Sequence, residues 1–103
     1  MLASASRRGD GIVRIHDGTF VGDGTAVVLT LGFIPTFFRL INQTDVITYE
    51  KIRSQVAANS IKTIAAGTMT LDNTSGILFN ADGTVTISAA VNVTAKSFAW
   101  VAQ

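Results

Sequence analysis

Phe79-Asn80-Ala81-Asp82-Gly83-Thr84-Val85-Thr86-Ile87-Ser88 is the stretch that decides the fold. Val85, Ile87 and Ala89 alternate with Thr84, Thr86 and Ser88, so one side of an extended chain is apolar and the other polar. That period of two is the mark of a half-buried strand. Asp82-Gly83 lies between Phe79 and Val85, where a β-hairpin needs a residue that accepts positive φ.

The same period extends in both directions. Phe98, Trp100 and Ala102 alternate with Ala99 and Val101, which predicts a packed C-terminal strand. Phe38 and Leu40 oppose Phe37, Arg39 and Ile41, with Pro35 just ahead, where a strand tolerates it. Val27, Leu29 and Leu31 share one face, and Ala26, Val28 and Thr30 the other. Val13 and Ile15 alternate with Arg14 and His16. Gly-Thr occurs four times, at Gly18-Thr19, Gly24-Thr25, Gly67-Thr68 and Gly83-Thr84, and each pair reads as the exit from a turn. Asn73-Thr74-Ser75-Gly76 is a further turn cluster, between Met69-Thr70-Leu71 and Ile77-Leu78-Phe79. Arg53 to Ser60 alone lacks the pattern and reads as a helical turn or a long loop. The expectation is an all-β single domain, a β-sandwich or jelly-roll-like fold of about eight to ten short antiparallel strands over 11–103, preceded by an arm, 1–10.

Composition narrows the function. Of the 103 residues, 15% are charged and 48% apolar, where an ordinary soluble domain carries about 25% charged. So small a domain has little interior in which to hide that apolar content, which implies a surface covered by partners. The net charge of +1, with both signs scattered, offers no footprint for nucleic acid or an anionic membrane. Cysteine is absent, which removes disulfides, thiolate chemistry and Cys-based zinc sites. Ala26 to Phe38, the longest apolar stretch, is too short for a spanning helix and is broken by Gly32 and Pro35. Met1 to Asp10 lacks the apolar core of a secretory signal.

Single motifs favour bland readings. Arg8-Gly9-Asp10 is a bare tripeptide match of low specificity. His16, the sole histidine, precedes Asp17, but no serine stands in a strand-turn-helix elbow, and one imidazole is too little for zinc. Asp10, Asp17, Asp23, Asp72 and Asp82 adjoin glycine or turn residues without calcium-loop spacing, and read as turn closers. Asn42, Asn73 and Asn92 begin glycosylation sequons and read as polar turn or strand-edge residues. Gly9-Asp10-Gly11 and Gly22-Asp23-Gly24 lack the residues of a phosphate loop. Phe37 and Phe38 are adjacent, so in a strand they point to opposite faces. One of them lies under a second layer or a partner. No cofactor or metal and no enzymatic activity is expected.

Leu31-Gly32-Phe33-Ile34-Pro35, then Phe38-Arg39-Leu40-Ile41-Asn42-Gln43-Thr44-Asp45, and finally Phe98-Ala99-Trp100-Val101-Ala102 follow a familiar order. Over residues 24–103 the chain resembles small structural proteins of tailed bacteriophages, in particular capsid decoration, or cement, subunits. The resemblance implies a virion protein on the capsid exterior that binds the major capsid protein and copies of itself, as a dimer or trimer, and braces neighbouring capsomers. The expected contacts are Arg7 and Arg8 in the arm, with Pro35 and Phe37 on the aromatic face. The alternative is a tail-fibre or spike module that binds host carbohydrate through aromatic side chains.

Overall fold

The structure is a computed structural model that describes residues 15–55, 59–72 and 76–103. Those residues form nine strands and no helix: β1 (His16–Val21), β2 (Val27–Thr30), β3 (Phe37–Asn42), β4 (Ile47–Ile52), β5 (Ser60–Thr63), β6 (Met69–Asp72), β7 (Ile77–Phe79), β8 (Thr84–Ile87) and β9 (Ser97–Ala102). They make two antiparallel sheets, one of six strands in the order β1-β9-β3-β4-β5-β6 and one of three in the order β2-β8-β7. The fold is the small all-β sandwich that the alternation predicts.

Register explains which side chains meet. In the smaller sheet Val27, Ile87 and Ile77 lie side by side, as do Leu29, Val85 and Phe79, and both rows face the larger sheet. Opposite them stand Phe38, Leu40, Tyr49, Phe98 and Ala102, all buried. Phe38 stacks on Trp100 with ring centres 5.9 Å apart and meets Phe79 edge-on at 6.4 Å, while Phe20 stacks on Phe98 at 5.0 Å. Each such ring can bury roughly 150–250 Å².

The Asp-Gly turn forms as predicted. Gly83 has φ 84°, Asn80 exchanges backbone bonds with Thr84 and Gly83, and Asp82 Oδ1 accepts from the amide and hydroxyl of Thr84. These bonds hold the Asp82 carboxyl below its ordinary range. Asp23 repeats the device with Thr25.

Two expectations need correction. Gly18-Thr19 is no turn exit, because both residues lie inside β1. Gly18 faces Trp100 across the ladder, and a Cβ there would fall 2.9 Å from the indole Nε1, so close approach of the ring excludes a side chain. Asp17 likewise sits within β1, and Asp72 is the last residue of β6. β6 and β7 belong to different sheets. Residues 56–58 and 73–75, and with them parts of the Arg53–Ser60 and Asn73–Gly76 expectations, lie outside the described residues, as does Val13.

At about 4.8 Å per strand, three strands span about half the width of six. Towards the β6 side the inner face turns polar: Ser60, still buried, and Lys62 on β5, then Thr70 and Asp72 on β6. Lys51 marks the boundary. Its side chain is 1% exposed, and its ammonium donates to the carbonyls of Gln55 (3.0 Å) and Asn59 (2.8 Å) and lies 5.4 Å from the centre of the Phe79 ring. The charge thus ties the β4–β5 connection to the end of the core.

Two outcomes follow from this packing. Gly18→Ala should lower stability by about 1–3 kcal/mol through overpacking, and should shift the emission of Trp100, the only tryptophan; unchanged emission and denaturation midpoint would refute the contact. Burial pushes the Lys51 ammonium below its ordinary 10.5, so between that lowered value and 10.5 the unfolded chain holds more protons and stability rises with pH. Burial, and secondarily the Asp72 carboxylate, raises Tyr49, which acts in the opposite sense above pH 10.0. The difference in urea stability between wild type and Lys51→Met removes the Tyr49 contribution, and should move in favour of wild type as pH climbs from neutral. A flat difference would contradict the cost of burial.

Candidate partner-binding surface

Alternation in the larger sheet leaves a second face, turned away from the sandwich. One cross-strand row runs Asp17, Val101, Arg39, Glu50, Ile61, Leu71, and the next Thr19, Ala99, Ile41, Thr48, Thr63, Met69. Phe37 and Ile52 form a further pair on the same side. The surface is therefore aliphatic and threonine-rich, and no described element packs over it as a second layer. Ile52 is 51% exposed, Leu71 56% and Met69 64%. In projection the six strands span roughly 400 Å², polar side chains included.

At its centre Arg39 Nε and Nη2 both donate to Glu50 Oε2, at 3.1 and 2.9 Å. The two residues are directly opposite in the β3–β4 register, so the ladder itself presents one to the other. With both side chains partly exposed, the pair contributes little to stability, about 0.2–1 kcal/mol. Its effect is to cancel charge in the middle of the face, which lowers the cost of covering it.

The expected contact residues fall in different places. Phe37 is half-buried on this outer face while Phe38 is fully buried beneath it, as their adjacency requires. Pro35 is enclosed by its own chain and offers a partner no surface. Arg53 explains why: its guanidinium donates to the carbonyls of Ile34 and Pro35 and to Thr36 Oγ1, and its amide to Thr36 O. The Gly-Phe-x-Pro segment is thereby fastened to the end of β4, and Pro35 shapes the entry to β3. Arg7, Arg8 and the rest of the arm lie outside the described residues, as do Arg8-Gly9-Asp10 and Asn73. Sequence reasoning did not single out Ile52, Ile61, Met69 and Leu71, whose common face emerges only from the strand order.

The chemistry of the remaining polar groups is local. His16 is exposed and meets Phe33 edge-on, at 5.3 Å between ring centres. Ser60 Oγ is buried with no hydrogen-bond partner, but β5 and β1 are separated by the three strands between them, about 19 Å. Ser60 and His16 are thus not brought together. Asn42 Oδ1 accepts from the amides of Thr44 and Asp45, and Asn92 Nδ2 donates to Asp23 and to Thr25 O, so both asparagines brace corners. Lys96 completes the first corner through Asp45 at 3.2 Å. Among the described residues no three His, Cys, Asp or Glu side chains are placed to hold a metal ion.

A scan of protein families, a search of curated proteins and a search of solved structures each find no match to this chain.

Proposed function

We propose that this chain is a structural assembly subunit without catalytic function, and that the assembly is the virion of a tailed bacteriophage, where it decorates and braces the capsid exterior. The observation that carries the first half is the outer face of the six-stranded sheet: aliphatic, neutral at its centre and bare of a second layer. The second half rests on the resemblance of the Gly-Phe-x-Pro turn, the Asn-x-Thr corner and the aromatic final strand to decoration subunits. In this reading the outer face lies on the major capsid protein or on further copies of the chain, with Phe37 and Ile52 in the contact. The arm with Arg7 and Arg8 adds polar contacts to the shell. A β-sandwich tied by aromatic stacking and by backbone-anchored Arg53 and Lys51 has the rigidity such a brace needs.

The carbohydrate-binding alternative calls for an open aromatic ring on which a sugar stacks. The Phe, Tyr and Trp rings are buried or half-buried, and the exposed large apolar side chains are all aliphatic.

Co-sedimentation with purified phage shells tests the proposal. Ile52→Glu alters a half-exposed side chain and should change stability by no more than about 0.5 kcal/mol, yet should reduce shell binding at least about tenfold, since a charge then faces an apolar contact. Removing residues 1–8 should leave a folded domain that no longer decorates. Equal binding by wild type and both variants would overturn the assignment, as would specific retention on a glycan array.

A further inference from the structure

β6 is the outermost strand of the larger sheet, hydrogen-bonded on one side to β5. Its other edge carries few of the devices that usually blunt an edge, for Met69-Thr70-Leu71 holds no lysine, proline or glycine. Met69 and Leu71 are 64% and 56% exposed, so no described loop lies over them.

The ladder fixes which backbone groups are free. Ile64 N–H donates to Thr68 O at the base of the β5–β6 hairpin. Bonded and non-bonded pairs alternate along an antiparallel ladder, so Lys62–Thr70 and Ser60–Asp72 are bonded pairs while Thr63–Met69 and Ile61–Leu71 are not. The N–H and C=O groups of Met69 and Leu71 therefore point to the open edge.

From this we infer that the β6 edge pairs with β6 of a second copy of this chain, antiparallel, with Thr70 on the two-fold axis. Parity selects the register. Residues directly opposite must share a face, so a two-fold pair must be centred on a residue. Centred on Thr70, Met69 of each copy meets Leu71 of the other on the outer face, and these two are the residues with free backbone groups. About four hydrogen bonds form. Centred on Leu71, the pair would keep about two and would bring each Asp72 beside Thr70 of the other copy. The Thr70 register keeps the two Asp72 carboxylates further apart and unites two aliphatic outer faces into one continuous surface.

So short an edge buries much less than the roughly 800 Å² per partner of a stable dimer, which makes the pairing weak in dilute solution. Held on a lattice, with effective concentrations near millimolar, it becomes significant. The inference deepens the assembly reading by naming a second copy as the partner of this edge. Its test uses no shells, so its failure and the failure of capsid decoration are told apart.

Because the chain has no cysteine, one introduced thiol reports one contact. In a non-bonded antiparallel pair the Cα atoms are about 4.5 Å apart, within disulfide reach. Thr70→Cys should therefore oxidise to a dimer at least about tenfold faster than Leu71→Cys, whose own two-fold mates lie beyond it on the diagonal, at about 7–8 Å or more. It should also outpace Thr19→Cys, exposed on the opposite edge. Adding Met69→Lys to Thr70→Cys should abolish the advantage. Sedimentation of the unmodified chain should show a mass rising from 10.9 kDa toward twice that value as concentration increases. Equal rates for the three cysteine variants, no effect of Met69→Lys, or a mass that stays monomeric or rises to a trimer would overturn the pairing.

Discussion

Three strands cannot roof six, and most of this structure follows from that mismatch. Where β2, β8 and β7 provide cover, the inner face holds Phe38, Leu40, Phe98 and Ala102 with no exposure. Towards the β6 side, where cover ends, the same face carries Lys62, Thr70 and Asp72. Lys51 stands at the step. A charge in that position is costly unless its protons are satisfied, and the carbonyls of Gln55 and Asn59 satisfy them while fixing the connection that leads away from the core.

The outer face obeys a different logic. Since the smaller sheet uses one side of the larger, no described element of the chain is left to cover the other. An isolated domain would ordinarily make that side polar by alternation. Here Phe37, Ile41, Val101 and Ile61 occupy positions where charged residues are the common choice, and the two charges near the centre neutralise each other. The low content of charged residues is therefore concentrated in its effect. It leaves one broad side of the molecule suited to contact, which is why an assembly role is the reading preferred above.

Much of the architecture was legible in the residues. Period-two alternation located β2, β3, β8 and β9 and their inward sides, and the Asp-Gly pair placed the β7–β8 turn, because these signals are local. Gly18 was misread since its reason is the Trp100 ring on a strand far along the chain. The outer face was half visible: Phe37 and Phe38 had to face opposite ways. Its remaining members were hidden because alternation alone does not say which strands are neighbours, and Ile52, Ile61 and Leu71 share a side only through the β4-β5-β6 order. Pro35 was expected at the contact, and its burial reflects Arg53, a long-range partner that no spacing rule announces.

β9 is the last strand in sequence, yet it lies between β1 and β3. Thus β1, the first strand made, has no mate in its sheet until the chain has grown by some eighty residues, and the middle of the ladder closes last. Loop-closure entropy must be met before those contacts return anything. A chain with this order folds slowly for its size and holds unpaired strand edges until its last segment is made.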